Sequence, residues 1–481
     1  MDPLFELDLR PEADGTRTLA ATLNARLKAA ILDGRLRAGA RLPATRALAL
    51  RLGVSRNTVL AAYDLLLAEG YLVARPGSGN FVGVVSPAPA WRAPLPAQGG
   101  GDRRLNAFAR TTGGAPRPRP PAPACDFGLG VPDKSAVHFE DWRRLSARAL
   151  RQLARRGVGY AEAQGEPALR EAIAGYVSFA RAVACRADDL VVTAGAQQAF
   201  DLIARILVTP GRTAVAVEDP GYPPARAAFA AAGARIVPVR VDAQGLVVEA
   251  IPAHVRVVCV TPSHQFPLGC VLSAARRAAL LAFARRNGAV VVEDDYDGEF
   301  RFGGRPLDAL RTLAGDDEVF FVGTFSKNLF PALRLGYVAA PPWALAALVA
   351  AKERADWHCN LLAQHTLAAF IAEGHLARHV RRMRTRYAAR RARLLARLEA
   401  DFAPWLAPVA GQAGLHLAAT GRRAHDFAAI AARAAQAGVG VGLLRDYGLG
   451  AAAPHGLVFG YGAIDEAAIG RGLDRLRTVM P

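Results

Sequence analysis

The chain has 481 residues, 52% hydrophobic and 21% charged, a composition that can bury large cores over roughly two to four domains and excludes a disordered tail or a fibre. No run of about 18 apolar residues occurs, and the acidic start MDPLFELDLRPEADG, broken by Pro3 and Pro11, excludes a signal peptide and a membrane span. Five scattered cysteines (Cys125, Cys185, Cys259, Cys270, Cys359), odd in number and without a CxxC pair, fit a reducing compartment, so a cytoplasmic location is expected. The net charge of +18 is almost all arginine, because Lys28, Lys134, Lys327 and Lys352 are the only lysines. Where the charge clusters therefore says more than its sum.

Residues 1–85 read as three helices and a hairpin. TLAATLNARLKAAILDG spaces Leu19, Leu23, Leu27 and Ile31 four apart on one face and stops at Gly34. ATRALALRLG predicts a shorter helix closed by Gly53. SRNTVLAAYDLLLAEG predicts a third, N-capped by Ser55 and ended by Gly70. YLVARPGSGNFVGV places two β-rich runs around Pro76-Gly77-Ser78-Gly79, a hairpin. Helix, helix, helix, wing is the order of a winged helix-turn-helix. From Arg17 to Arg75 there are ten basic and three acidic residues, a net +7, which is an electrostatic footprint for DNA. Ser55, Arg56, Asn57 and Thr58 open the third helix with side chains suited to phosphates and base edges. A solvated helical hairpin in an arginine-rich protein is the plain alternative.

Residues 86–124 hold nine prolines and the Gly99–Gly101 run, the composition of an extended tether between two folding units. From Cys125 apolar runs (LVVTAG, TAVAVEDP, RIVPVRV, VRVVCVTP, AVVVEDDY, VFFVGTFS, LGYVAAP) alternate with helical stretches, predicting a parallel sheet covered on both faces with functional residues just past strand ends. This large α/β domain is taken over 125–345. A helical stretch and a smaller α+β domain follow over 346–481.

GTFSKNLFPALRLGY sets Lys327 at a strand end between Thr324 and Ser326, with Arg334 seven residues on: an amine for a carbonyl and a clamp for a phosphate. Pyridoxal phosphate carries both groups. The acidic cluster of VVVEDDYDGEF is costly to bury unless it meets a cation, such as a protonated pyridinium nitrogen facing Asp294, with Tyr296 reaching the ring hydroxyl. A magnesium site is the alternative for the cluster alone, and the nearby lysine favours the cofactor. VVTAGAQQAFDLIARIL adds free N–H groups at Ala196 and Gln197, apt for phosphate.

LPATRALALRLGVSRNTVLAAYDLLLAEGYLVARPGSGNFV resembles the GntR family of winged-helix regulators. That resemblance implies that Arg46, Arg56 and Thr58 contact operator DNA, with Arg75 and the Gly77, Ser78 and Gly79 wing on the backbone or minor groove. From Cys125 to Pro481 the chain resembles fold type I pyridoxal-phosphate proteins, the aspartate aminotransferase group. This implies Lys327 as the Schiff-base lysine, Asp294 as the pyridine partner and Tyr222 of EDPGY stacking on the ring. Ser326, Arg334 and Gln197 would hold phosphate, and Tyr160 would reach the neighbouring subunit's phosphate. TPSHQFPLG has His264 and Gln265 where many aminotransferases carry asparagine, which puts His264 beside the ring. Arg445 of GVGVGLLRDYG falls where the family places a carboxylate-binding arginine.

The order of the two halves resembles the MocR subfamily of bacterial regulators. It implies a homodimer that binds double-stranded operator DNA and senses an amine, an amino acid or pyridoxal phosphate through Lys327, with no metal and no membrane partner. On this reading transamination is at most a side activity. An active aminotransferase with an accessory DNA-binding module is the alternative.

Overall fold

The computed structural model describes residues 18–84, 104, 110, 123–157, 159–303, 308–315, 317–409, 411–423, 425–449 and 454–481. The chain divides into two compact units, Met1–Ala115 and Pro116–Pro481. The tether read over 86–124 lies outside the described residues, except 104, 110, 123 and 124.

In the first unit α1 (Leu19–Leu32), α2 (Thr45–Leu52) and α3 (Arg56–Ala68) precede the hairpin of β1 (Leu72–Arg75) and β2 (Gly79–Val82). The hydroxyls of Thr18 and Ser55 accept from Ala21 N and Thr58 N, so each caps a helix start, and Gly53 ends α2 at φ 66°. Leu23, Leu27, Leu48, Val59, Ala62 and Leu66 are fully buried together, which fixes the three helices around one small core. The segment before α2 also joins the wing: Gly39 N donates to Val82 O at 2.8 Å and Leu42 N to Asn80 O at 2.9 Å. The sequence reading lacks this third ladder, because three bonds around the single Arg41–Phe81 bridge leave no periodicity to read.

The second unit opens with β3 (Cys125–Asp126), α4 (Phe139–Leu153), α5 (Pro167–Arg181), β4 (Leu190–Thr193), α6 (Ala196–Leu207), β5 (Ala214–Asp219) and α7 (Pro223–Ala231). It continues through β6 (Arg235–Asp242), β7 (Gly245–Leu246), β8 (Val257–Val260), α8 (Ala274–Asn287), β9 (Val290–Asp295), α9 (Leu310–Ala314), β10 (Val319–Thr324) and β11 (Gly336–Ala339). These strands form one sheet of order β4-β11-β10-β9-β8-β5-β6-β7. Phe200, Phe229 and Leu348 cover Val292 and Val322 on one face, and Leu280 and Phe283 cover Val258 and Val291 on the other. Two strands depart from the expected parallel sheet: β11 runs antiparallel to β10 and β4, and β7 to β6. Between β10 and β11 the chain has only the short helical turn Pro331–Leu333, and without a crossover helix a strand returns antiparallel.

Then come α10 (Pro342–Asp356), α11 (Leu361–Ala372), α12 (His375–Asp401), β12 (Leu406–Pro408), β13 (His416–Gly421), α13 (Phe427–Gln436), β14 (Val439–Gly440), β15 (Gly442–Leu443), β16 (Gly456–Gly460) and α14 (Glu466–Thr478). β12, β13, β16 and β15 make an antiparallel sheet. β3 pairs with β14, and Phe127 packs edge-on against Phe459 at 5.6 Å, so residues 125–127 join the C-terminal piece rather than the large sheet. No helix of the described residues is long and apolar enough to cross a membrane.

The large sheet buries carboxyl groups. Glu218 on β5 accepts from Thr261 N at 3.1 Å, and burial pushes its carboxyl up to about 7 against the help of Thr261. A carboxyl raised above its unfolded value contributes stability that is complete below about 4.5 and lost as pH rises through about 7. Glu218→Gln should therefore flatten the fall in stability across that window, gaining on wild type by at most roughly 3 kcal/mol. Urea midpoints of both chains at the two ends of the window measure it.

Candidate active site

The C-terminal ends of β4, β5, β8, β9 and β10 bring Gly195, Tyr222, His264, Asp294 and Lys327 to one edge of the sheet. There a cavity of about 360 Å³ is lined by Gly130, Tyr222, Phe266, Asp294, Tyr296, Asp297, Lys327, Leu415, His416 and Tyr447, among others. Lys327 Nζ donates to Gly130 O at 2.8 Å. A Cβ at Gly130 would sit 2.7 Å from Nζ, so glycine there is what admits the amine. Burial lowers the amine's pKa below the lysine value, with Asp297 and Asp294 opposing, so more of it is neutral at a given pH than of a free lysine.

Alternation along β9 separates three carboxylates. Glu293 points to the opposite face from Asp294 and accepts from Leu310 N and Arg311 N at 3.1 Å. Asp295 is held by Arg181 through Nε at 2.6 Å and Nη2 at 2.7 Å. Asp294 lines the cavity, and its Oδ1, fully buried, has no hydrogen-bond partner among the described residues. Burial, then Asp295 and Asp297, hold this carboxyl well above its usual range, a cost that a cation in the cavity relieves.

Across β4, β11 and β10, Thr193, Gly336 and Thr324 lie in register, so the turn after β4 and the Thr324–Ser326 turn are neighbours. Thr324 Oγ1 donates to Ser326 Oγ at 3.1 Å. Arg334 crosses to the turn after β4, where a Cβ on Gly195 would lie 3.0 Å from its Nη1. The N–H groups of Ala196 and Gln197 open α6 with no acceptor among the described residues, while the Gln197 amide donates to Pro224 O at 3.1 Å. A chain of hydrogen bonds braces this turn: Ala194 N donates to Gln198 Oε1 at 2.8 Å, Gln198 Nε2 donates to Asp356 Oδ2 at 2.8 Å, and Asp356 takes the ammonium of fully buried Lys352.

Pyridoxal phosphate fits these groups. Asp294 would hold the ring nitrogen; Arg334, Ser326 and the α6 N–H groups would hold the phosphate; Lys327 would hold the aldehyde carbon. Bound there, it supplies an aldehyde that condenses with amines and a ring that draws electrons. Tyr222, pushed up to about 12 by burial, stays neutral against Phe266, 5.3 Å away edge-on.

Two expected residues, His264 and Arg445, sit elsewhere. His264 stands behind the wall: its Nδ1 meets Asp297 at 3.1 Å and Tyr296 Oη at 2.9 Å, and Tyr296 donates to His264 O, so His264 reaches the cavity through Tyr296. It fits there because Gly414, at φ +87°, has no Cβ, which would lie 2.0 Å from the imidazole. Arg445 is half exposed in a separate pocket with His425, Asp426 and His455, and Tyr447 from the same helical turn lines the cavity instead. Residues two apart on a tight 3₁₀ turn of about three residues point in different directions. Tyr160, expected to serve the neighbouring subunit, is 76% exposed, meets the Trp357 ring at a 46° tilt with centroids 4.0 Å apart, and does not line this chain's cavity. Gly130, Phe266, Asp297, His416 and Tyr447 also line the cavity without having been singled out in the sequence; the last acid of DDYD was the one available hint at Asp297.

In the first unit Arg46, Ser55, Arg56, Asn57, Arg75, Gly77, Ser78 and Gly79 are exposed and Thr58 is half-buried. The Ser55 and Thr58 hydroxyls bond each other at 2.8 Å, so they shape the start of α3.

Residues 124–449 match the family described as aminotransferase class I and II, and residues 19–82 match the bacterial regulatory proteins of the gntR family. The chain is 38% identical over 455 residues to the probable rhizopine catabolism regulatory protein MocR of Rhizobium meliloti, covering 94% of this chain and 92% of that one. It is 32% identical to the HTH-type pyridoxine biosynthesis transcriptional regulator PdxR of Corynebacterium glutamicum, covering 93% of each. The crystal structure of Pyrococcus horikoshii kynurenine aminotransferase, in complex with PMP, aligns with a TM-score of 0.69 and 26% identity over 75% of this chain and 91% of that one. The chain therefore belongs to the MocR group of gntR-family transcriptional regulators, in which a winged helix is joined to a pyridoxal-phosphate-dependent, aminotransferase-like domain.

Proposed function

We propose that this regulator acts in the cytoplasm as a homodimer and that its operator binding answers to a small amine, an amino acid or pyridoxal phosphate acting at Lys327. The observation that carries this is one cavity holding a half-desolvated amine, Lys327, and a buried carboxylate, Asp294, whose Oδ1 has no partner among the described residues, in a chain that also carries a basic winged helix. In this reading Lys327 is the attachment point, Asp294 keeps the ring nitrogen protonated, and Tyr222 and Tyr296 flank the ring. Arg334, Ser326, Ala196 and Gln197 hold the phosphate, and Tyr160 serves the partner's site. A ligand moves the DNA-bound population only by as much as it distinguishes the forms of the protein. Arg46, Arg56 and Arg75, exposed around α3 and the wing, supply contacts to phosphates and groove edges.

A second reading, slow transamination by the same cavity, is favoured by the presence of both the amine and the ring-nitrogen carboxylate. Turnover with ordinary amino donors that survives deletion of residues 1–85 would select it.

Lys327→Ala should abolish the visible absorption of the lysine-bound cofactor and leave operator binding indifferent to added amines, as read by absorbance and by footprinting. If Lys327→Ala retains a ligand-dependent footprint, the sensor reading is wrong. In parallel, Arg46→Ala and Arg56→Ala should each weaken DNA binding and reduce the slope of log affinity against log salt by about 1 where the lost contact is to phosphate. Titrations at several salt concentrations measure it.

A further inference from the structure

The cavity wall narrows the class of effector. Besides Lys327, the charged side chains lining it among the described residues are two carboxylates, Asp294 and Asp297. Asp294 belongs to the ring nitrogen. Asp297 is 1% exposed and is fixed by His264 Nδ1 at 3.1 Å and by Leu415 N at 3.2 Å, so it cannot turn away from an occupant. The rest of the effector side is apolar or aromatic: Leu129, Pro224, Phe266, Leu415 and Tyr447. His416 offers no cation, since burial and the neighbouring His264 push it down to about 3, and its Nε2 already donates to Pro267 O at 3.0 Å.

No arginine of the described residues lines the cavity. Arg334 reaches the Gly195 turn, Arg391 donates to Gly411 O, and Arg445 lines a different pocket. A carboxylate entering this space would lose its hydration beside a fixed like charge and gain no guanidinium. An uncharged hydrocarbon or aromatic tail would bury its surface against the same wall.

We infer that the effector is a primary amine without a carboxylate, its amino group directed at the cofactor carbon held by Lys327 and its apolar remainder packed on Phe266, Leu415 and Tyr447. This rests on the reading of Lys327 as the attachment point. The exchange balances without an oxidant or reductant. The C=N double bond at that carbon would pass from Lys327 Nζ to the incoming nitrogen, and the two hydrogens which that nitrogen gives up would pass to Nζ, released as a free amine. A cavity of about 360 Å³ lies near the lower end of the roughly 300–1,000 Å³ usual for small-molecule sites, which suits a short amine beside the cofactor.

The test uses the full-length chain loaded with pyridoxal phosphate and two matched pairs that differ only by a carboxylate: phenethylamine with phenylalanine, and propylamine with γ-aminobutyrate. The change in visible absorption is titrated, and operator footprints are recorded at the same concentrations. The expected result is half-saturation at a concentration at least about tenfold lower for the amine of each pair. Equal or reversed preference overturns the inference, and so does a spectrum that no amine moves. Pro224→Arg, at a half-buried wall position whose main-chain bond to Gln197 survives the change, should cut the gap to about threefold or less by tightening the amino acids. A gap unchanged by that substitution also overturns it. Failure of the underlying reading looks different: no visible band forms in the wild-type chain, or the band persists in Lys327→Ala.

Discussion

One buried carboxylate organises the second unit. At the end of β9 the strand's alternation sends Glu293 and Asp295 to one face, where α9 and Arg181 neutralise them, and sends Asp294 to the other, where its Oδ1 meets no donor among the described residues. Native proteins pair nearly all such atoms, and this one, at a cavity wall, is open to a donor on an occupant. The apparatus around it answers that need at other strand ends: an amine after β10, an anion cradle after β4 and an aromatic after β5. Each is a short excursion from a rigid strand, so the positions of the groups are set by the sheet and not by the loops.

How much of this was legible depended on whether a signal was local. Lys327 stood out because lysine is scarce here and hydroxyls flank it. The helices of the winged unit were readable from spacing, a serine cap and three glycines, because each helix carries its own stop signals. Among the acids of EDDYD, Asp294 was singled out by the resemblance, and the alternation of β9, with Asp294 opposite Val322 of β10, is the physical reason it faces away from Glu293 and Asp295. Gly130 and His416 were invisible for another reason. They lie far from Lys327 along the chain and reach it only after β3 has paired with β14 and β13 has joined β16. Arg445 misled because the turn Leu444–Tyr447 puts a tyrosine, not the arginine, on the inner side, and no sequence period distinguishes the two over four residues.

The cavity wall is built from both pieces of the second unit, and this suits it to sensing. Tyr222, Asp294, Asp297 and Lys327 come from the large sheet and its loops, while Leu415, His416 and Tyr447 come from the C-terminal piece. The two are stitched at that wall by Leu415 N on Asp297, by His416 Nε2 on Pro267 O and by Gly414 against His264. An occupant touching Phe266 and Leu415 together therefore contacts both pieces, and its binding energy includes whatever their closure contributes. Only such a differential contact can bias one arrangement over another, whatever the overall affinity. The amine with a short apolar tail proposed above would make that contact. A molecule filling only the space next to Lys327 would exchange at the same carbon yet leave the two pieces as they were, so attachment and response are separable properties of this site.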